Sequence, residues 1–147
     1  MKTIKQIARK NPPTISGAAP LAEMMRFFEK CGEEFALVLD NNGKPIGIVT
    51  DGDVLRAFYV RVASHAGEKN SFDLEEALRD RVQSFKTLKV EDAMTRRPKT
   101  VPEDSAILQA AELFRKNNLK RAPVVDAEGK AVGFLKRADL AAAALEF

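Results

Sequence analysis

The sequence predicts a mixed α/β fold built from two copies of one β-α-β-β-α unit. The first observation is an internal repeat: residues 1–61 align on residues 87–147 at an offset of 86 without a gap, and twelve of the 61 pairs are identical. The second is that strand-like and helix-like apolar patterns alternate in each copy. The third is that glycine or asparagine follows the first helix-like pattern of each copy, as is typical of a helix end.

Each copy opens with a short apolar strand, Thr14-Ile15 or Thr100-Val101. Apolar residues then recur at the spacing of one helix face. These residues are Leu21, Met24, Met25 and Phe28 in the first copy, and Ile107, Ala110, Ala111 and Phe114 in the second. The helices are expected to end at Cys31-Gly32 and Asn117-Asn118, because glycine and asparagine tolerate the left-handed conformation of a helix C-terminus.

A hairpin and a second helix complete each copy. The predicted strands are Phe35–Leu39 and Ile46–Val49 in the first copy, and Ala122–Val125 and Val132–Leu135 in the second. Tight turns are predicted between them, ending at Gly43 and Gly129. The second helix is expected to open near Asp53 in the first copy and near Asp139 in the second.

The repeat also predicts how the chain is divided. Copy one covers residues 1–61, a linker covers 62–86, and copy two covers 87–147. A unit of 61 residues has only a marginal core, so we expect the two copies to pack face to face and bury each other's apolar sheet. A linker helix is predicted from apolar residues and from two acidic residues near its start. These are Phe72, Leu74, Leu78, Val82 and Phe85, with Asp73 and Glu76.

Composition narrows the class of protein. A net charge of +3 suits a phosphate-bearing small ligand but is too small to indicate nucleic-acid binding. Cys31 and His65 are the only residues of their types, so we expect no intrachain disulfide and no metal site. The sequence shows no catalytic pair of carboxylates and no glycine-rich phosphate loop, so we expect no enzyme activity, no catalytic residue and no catalytic cofactor. Apolar runs are too short for a membrane span, and early lysines argue against a signal peptide. The expected compartment is the cytoplasm.

Both copies carry related short motifs. Copy one contains Phe-Ala-Leu-Val-Leu-Asp (35–40) and Gly-Ile-Val-Thr-Asp-Gly-Asp (47–53). Copy two contains Arg-Ala-Pro-Val-Val-Asp (121–126) and Gly-Phe-Leu-Lys-Arg-Ala-Asp (133–139). With this repeat, nearly the whole chain resembles a pair of cystathionine-β-synthase (CBS) domains, also called a Bateman module.

The resemblance implies a regulatory role. It implies that the two copies pack with pseudo-twofold symmetry and form two clefts between them. Such clefts bind adenosyl ligands in the family, so AMP, ADP, ATP, S-adenosylmethionine or an NAD-type molecule is expected as a regulatory ligand. The resemblance also implies a homodimer and a regulated protein partner, which the sequence does not identify. The alternative from a different class is a dimerisation module that binds no small molecule.

Two residues of copy one are the leading ligand candidates. Thr50 ends the second strand before a helix, where a hydroxyl and free backbone N–H groups favour an anion. Asp53 is an acceptor-only carboxylate that can accept hydrogen bonds from two ribose hydroxyls. The resemblance assigns the same roles, and it extends the main ligand site to Ile48, Thr95, Arg96, Leu119, Lys120 and Arg121. Thr-x-x-Asp is also a helix capping box, and the two roles are compatible.

Copy two departs from this pattern, because Lys136 replaces the threonine while Asp139 remains. The resemblance implies a second site that adds Arg9, Lys10, Glu34 and Phe134. Carboxylates such as Glu34 are unfavourable beside a polyphosphate, whereas Lys120 and Arg121 add charge-assisted hydrogen bonds at the main site. We therefore expect the site with Thr50 and Asp53 to be the main one, and the second to be weak, empty or filled by something else.

Overall fold

The computed structural model describes residues 2–68 and 74–147. Two residues proposed for the linker helix, Phe72 and Asp73, lie outside these ranges. The elements, in chain order, are helix α1 (Ile4–Ile7), α2 (Leu21–Cys31), strands β1 (Phe35–Leu39) and β2 (Pro45–Thr50), α3 (Asp51–Arg61), a 3-10 helix (Ala63–Glu68), α4 (Leu74–Lys86), α5 (Val90–Ala93), β3 (Thr95–Arg96), β4 (Val101–Pro102), α6 (Ile107–Lys116), β5 (Arg121–Val125), β6 (Ala131–Lys136) and α7 (Arg137–Leu145). The predicted mixed α/β class is confirmed.

The strands form two sheets of three, in the orders β1–β2–β3 and β4–β5–β6. Strand β4 runs parallel to β5, and β5 runs antiparallel to β6 with Val124 opposite Gly133. The turns between the hairpin strands end at Gly43 and Gly129, whose φ angles are +80° and +82°. A side chain is strained at such angles, which explains why glycine occurs at both predicted turns.

The first long helix of each copy ends where the sequence predicts. Gly32 follows α2 in the left-handed conformation (φ +73°), and its N–H donates to the carbonyl of Phe28 at 2.9 Å. Asn118, just beyond α6, is also left-handed (φ +50°). Both residues therefore perform the helix-ending role that their types favour.

Four short elements were not predicted: α1, the 3-10 helix, α5 and β3. Helices α1 and α5 are four residues long, too short to show an apolar period. Each buries one aliphatic residue completely, Ile4 in α1 and Val90 in α5, and these two align in the repeat. Strand β3 contains only Thr95 and Arg96, both exposed, so it carries no apolar alternation.

The chain forms two compact units, each made of separate chain segments. The first unit contains residues 1–14, 37–47 and 96–147, and the second contains residues 15–36 and 48–95. The leading segment of copy one therefore belongs to the unit that holds α6 and α7 of copy two. The repeat boundaries at 61/62 and 86/87 stay a prediction.

The first unit is held by one apolar core. Its members come from α1, β4, α6, β5, β6 and α7: Ile4, Val101, Ile107, Ala110, Phe114, Ala122, Val124, Leu135, Leu140 and Ala143. Among the described residues, Ile4 is the only member of this core from the first 61 positions, and it is completely buried. Helix α1 is therefore attached by burial of its apolar side chain.

The second unit joins its segments through backbone hydrogen bonds and aromatic contact. The N–H of Leu21 donates to the carbonyl of Leu88 (3.2 Å), and the N–H of Val90 donates to the carbonyl of Ala19 (2.9 Å). The rings of Phe58 on α3 and Phe85 on α4 meet edge to face, with centroids 5.3 Å apart. Helix α4 thus packs on the helix that follows Thr50. No helix in the described ranges is long and apolar enough to cross a bilayer.

Candidate functional site

The residues predicted for the main site fall in both compact units. Ile48, Thr50, Asp53 and Thr95 belong to the second unit, and Arg96, Leu119, Lys120 and Arg121 belong to the first. The residues predicted for the second site belong to the first unit, except Glu34: they are Arg9, Lys10, Phe134, Lys136 and Asp139. That either set lines one ligand site stays a prediction.

Thr50 and Asp53 form a reciprocal capping box at the start of α3. Thr50 Oγ1 accepts the N–H of Asp53 at 3.2 Å, and Asp53 Oδ2 accepts the N–H of Thr50 at 2.9 Å. Two backbone donors that would otherwise lack partners at the helix start are satisfied in this way. The capping box considered as the alternative role of this motif is therefore present, and it fixes both side chains.

Arg56 is a neighbour of this motif that the sequence analysis missed. Its guanidinium Nη1 donates to Asp53 Oδ1 at 2.9 Å. The Asp53 side chain is 5% exposed, whereas that of Arg56 is 68% exposed. Residues three apart on a helix are neighbours, so the spacing alone could have indicated this ion pair. An exposed guanidinium can rotate away from the carboxylate without movement of the backbone.

The hydrogen bonds leave Asp53 with acceptor capacity. Each oxygen of an ionised carboxylate can accept two hydrogen bonds. Within residues 2–68 and 74–147, Oδ2 accepts one bond from Thr50 and Oδ1 accepts one from Arg56. One acceptor position therefore remains on each oxygen. The Thr50 hydroxyl, which accepts from Asp53, still has its own hydrogen to donate.

The remaining residues predicted for the main site lie in β2, in β3, in the segment between α6 and β5, and at the start of β5. Ile48 is half-buried in β2, and Thr95 is exposed in β3. In the first unit, Leu119 packs against the apolar core, and the carbonyl of Lys120 accepts the N–H of Arg137 at 2.9 Å.

Arg121 and Arg96 also belong to the first unit. Arg121 is the first residue of β5, where it lies opposite Lys136 of β6. The exposed Arg96 ends β3. These positions place cationic side chains of the main set at the ends of β3 and β5.

Asp139 has different partners from Asp53. The guanidinium of Arg9 donates two hydrogen bonds to the Asp139 carboxylate, from Nε to Oδ2 at 3.1 Å and from Nη2 to Oδ1 at 3.0 Å. The backbone N–H of Lys136 also donates to Oδ2 at 3.1 Å. Paired bonds between arginine and a carboxylate are short and directional. Arg9 and Asp139 were both expected in the second site, but their ion pair was not predicted from the sequence.

The charge state of Asp139 follows from these contacts. Partial burial by itself raises the pKa of Asp139, but the hydrogen bonds from Arg9 and from the Lys136 backbone, with the charges of both residues, outweigh it. The pKa is therefore held below its ordinary value of 3.8. Asp139 is ionised at neutral pH, and its ion pair with Arg9 is intact there.

The backbone of Arg9 is fixed on β6. Its N–H donates to the carbonyl of Phe134, its own carbonyl accepts the N–H of Phe134, and both distances are 2.9 Å. A Cβ atom on Gly133 would lie 2.5 Å from the Arg9 carbonyl oxygen. The absence of a side chain at Gly133 therefore allows the backbone of Arg9 to lie close to β6.

The other residues predicted for the second site are Phe134, Lys136, Lys10 and Glu34, and Glu34 lies in the other compact unit. Lys136 Nζ lies 6.0 Å from the ring centroid of the buried Phe134. Lys10 is exposed beside Arg9. Glu34 is in the second unit, where its carbonyl accepts the N–H of Asp51 at 3.2 Å.

Comparison with known proteins gives consistent matches. The family model for the CBS domain matches this chain twice, over residues 4–60 and 90–146. Protein MJ1426 of Methanocaldococcus jannaschii is 33% identical, with 93% of this chain and 88% of that protein covered. A CBS domain-containing protein of Dictyostelium discoideum is 30% identical, with 93% of this chain and 87% of that protein covered.

Solved structures give the same fold. The structure of CBSX2 in complex with AMP matches with a TM-score of 0.75 and 23% identity, covering 99% of this chain and 98% of that one. The CBS domain pair of protein MJ0100, in complex with 5′-methylthioadenosine and S-adenosyl-L-methionine, matches with a TM-score of 0.73 and 23% identity, with the same coverage. With both halves of the repeat matched by one family model, the chain belongs to the CBS domain family as a tandem pair of CBS domains.

Proposed function

We propose that this chain is a regulatory module that binds an adenine nucleotide or another adenosyl ligand and signals to a partner protein. The observation that carries the proposal is the hydrogen bonding of the Asp53 carboxylate, which among the described residues leaves one acceptor position on each oxygen. The two neighbouring hydroxyls of a ribose need two such acceptors. The Thr50 hydroxyl, at the N-terminus of α3, is suited to a phosphate oxygen.

The solved relatives support the ligand class. CBSX2 is described with AMP, and the MJ0100 pair with 5′-methylthioadenosine and S-adenosyl-L-methionine. All three ligands share an adenosine group, and only AMP carries a phosphate. The ribose that these ligands share would supply the two hydroxyls for Asp53, whereas ADP, ATP and S-adenosylmethionine differ in what they would offer to the Thr50 hydroxyl.

Changing Asp53 to Asn is expected to weaken AMP binding by about 100-fold. The amide keeps the shape of the side chain but replaces one acceptor oxygen with a donor and removes the charge, and a hydrogen bond to a charged group contributes about 1.5–3 kcal/mol. Titration calorimetry with AMP, ADP, ATP and S-adenosylmethionine measures the change and identifies the preferred ligand.

Asp92→Asn is the matched control for this titration. The Asp92 carboxylate accepts the N–H of Lys89 at 2.9 Å, so it reaches back to the start of α5 as Asp53 does to the start of α3. Asp92 is outside the predicted ligand set, and its substitution should leave AMP affinity unchanged. Binding that is lost in Asp139→Asn but kept in Asp53→Asn would show that the main site has been assigned to the wrong copy.

Absence of binding by all four ligands would favour the alternative, a dimerisation module without a small-molecule ligand. Ligand-dependent thermal stabilisation provides an independent check, because a ligand at 100 times its Kd adds about 2.7 kcal/mol to the free energy of unfolding.

An exposed apolar face on α3 supports the proposed homodimer. Leu55 and Tyr59 lie four residues apart on this helix and are largely exposed, and Met25 on α2 is partly exposed as well. Apolar residues clustered on a surface are typical of protein interfaces. We expect the chain to dimerise, and the double substitution Leu55→Glu with Tyr59→Glu to give a monomer by light scattering. Leu108→Glu, at an exposed position on α6, is the control. The dimer would be refuted if the unmodified chain were monomeric at about 10–100 μM.

A further inference from the structure

We propose that Arg9 closes the second ligand site by occupying the Asp139 carboxylate, so that each chain binds one adenosyl ligand instead of two. The inference rests on the proposed function, because it concerns the same ligand class. It assigns to Arg9 a role opposite to the one expected from the sequence. Arg9 excludes the ligand from this site and is not one of its phosphate contacts.

The hydrogen bonds to Asp139 leave too few acceptor positions for a ribose. Asp139 Oδ2 accepts from both Arg9 Nε and the Lys136 backbone, and Oδ1 accepts from Arg9 Nη2. Within the described ranges, these contacts fill both positions on Oδ2 and one on Oδ1. A single acceptor position cannot receive two ribose hydroxyls, whereas Asp53 retains one position on each oxygen.

The two guanidinium contacts also differ in how easily they can be displaced. Arg56 makes one hydrogen bond to Asp53 and is 68% exposed. Arg9 makes two hydrogen bonds to Asp139, and its side chain is 50% exposed. Its backbone N–H and carbonyl both form hydrogen bonds with the backbone of Phe134. A ligand must break a bidentate ion pair to reach Asp139, and the backbone of Arg9 holds the guanidinium ready to re-form it.

The repeat itself contains the asymmetry. Arg9 aligns with Thr95 at the offset of 86 residues, and Thr95 lies in the same unit as Asp53. A threonine carries no positive charge and cannot form a two-pronged ion pair with a carboxylate. The position that blocks Asp139 is therefore occupied in the other copy by a residue that cannot block Asp53 in this way.

Equilibrium dialysis with AMP tests this assignment through the number of molecules bound per chain. The unmodified chain should bind one AMP, and Arg9→Met should bind two, because methionine keeps the apolar stem and removes the ion pair. The double variant Arg9→Met with Asp139→Asn should return to one. Arg9→Gln is a second variant with a polar side chain, and thermal unfolding verifies that each variant is folded. Arg56→Met is the matched control and should leave the number at one.

Each result separates this proposal from the proposed function. One AMP bound by both the unmodified chain and Arg9→Met would refute the closure and leave nucleotide binding intact. Two AMP molecules bound by the unmodified chain, with one lost in Asp139→Asn, would also refute it. No AMP bound by the unmodified chain but one by Arg9→Met would support the closure and refute the main site. No binding by any variant would refute both.

Discussion

Changing Gly133 to Ala is expected to lower the free energy of unfolding by about 3 kcal/mol, the upper part of the usual range for forcing extra atoms into a packed site. The added Cβ would lie 2.5 Å from the carbonyl oxygen of Arg9. The obstacle is backbone, so no side-chain rotation relieves the clash. The two hydrogen bonds between Arg9 and Phe134 would have to lengthen or break. Urea unfolding followed by circular dichroism measures the change.

Gly52→Ala is the matched control, since it adds the same methyl group at a glycine of α3. There the nearest atom to the new Cβ is Thr50 Oγ1 at 3.5 Å, an ordinary contact. Alanine is favoured over glycine in a helix by about 0.5–1 kcal/mol, so this variant should be slightly more stable. Equal stability of Gly133→Ala and the unmodified chain would show that Arg9 does not need its close position on β6.

Changing Ile4 to Ala is expected to lower the free energy of unfolding by about 3 kcal/mol, as is usual when a fully buried aliphatic side chain is truncated. Ile4 is 0% exposed and packs in the core formed by β4, α6, β5, β6 and α7. Thermal or urea unfolding measures the loss.

Leu108→Ala is the control for this truncation. Leu108 is 64% exposed on α6, and its substitution should change the stability by less than about 0.5 kcal/mol. A small effect of Ile4→Ala, similar to that of Leu108→Ala, would mean that α1 is not anchored in the core. In that case the attachment of Arg9 to β6 would depend on its hydrogen bonds alone.

The capping box shows how much of the site could be predicted. Thr50 and Asp53 are three residues apart, and at a helix start that spacing is enough to predict their mutual hydrogen bonds. The partner of Asp139 could not be predicted in the same way, because Arg9 is 130 residues distant along the chain. The family resemblance brought both into one predicted site, but it did not indicate that the arginine would neutralise the aspartate.

The repeated α/β architecture, the helix ends at Gly32 and Asn118, and the turns at Gly43 and Gly129 could all be predicted from the amino-acid sequence. These features depend on residues that are close together in the chain, where apolar period and glycine conformation are decisive. Long-range packing, in contrast, brings the leading segment of copy one into the unit that holds α6 and α7, with Ile4 in its core and Arg9 bound to Asp139. A four-residue helix with one buried side chain has no periodic pattern, and its partner is fixed by packing between distant segments.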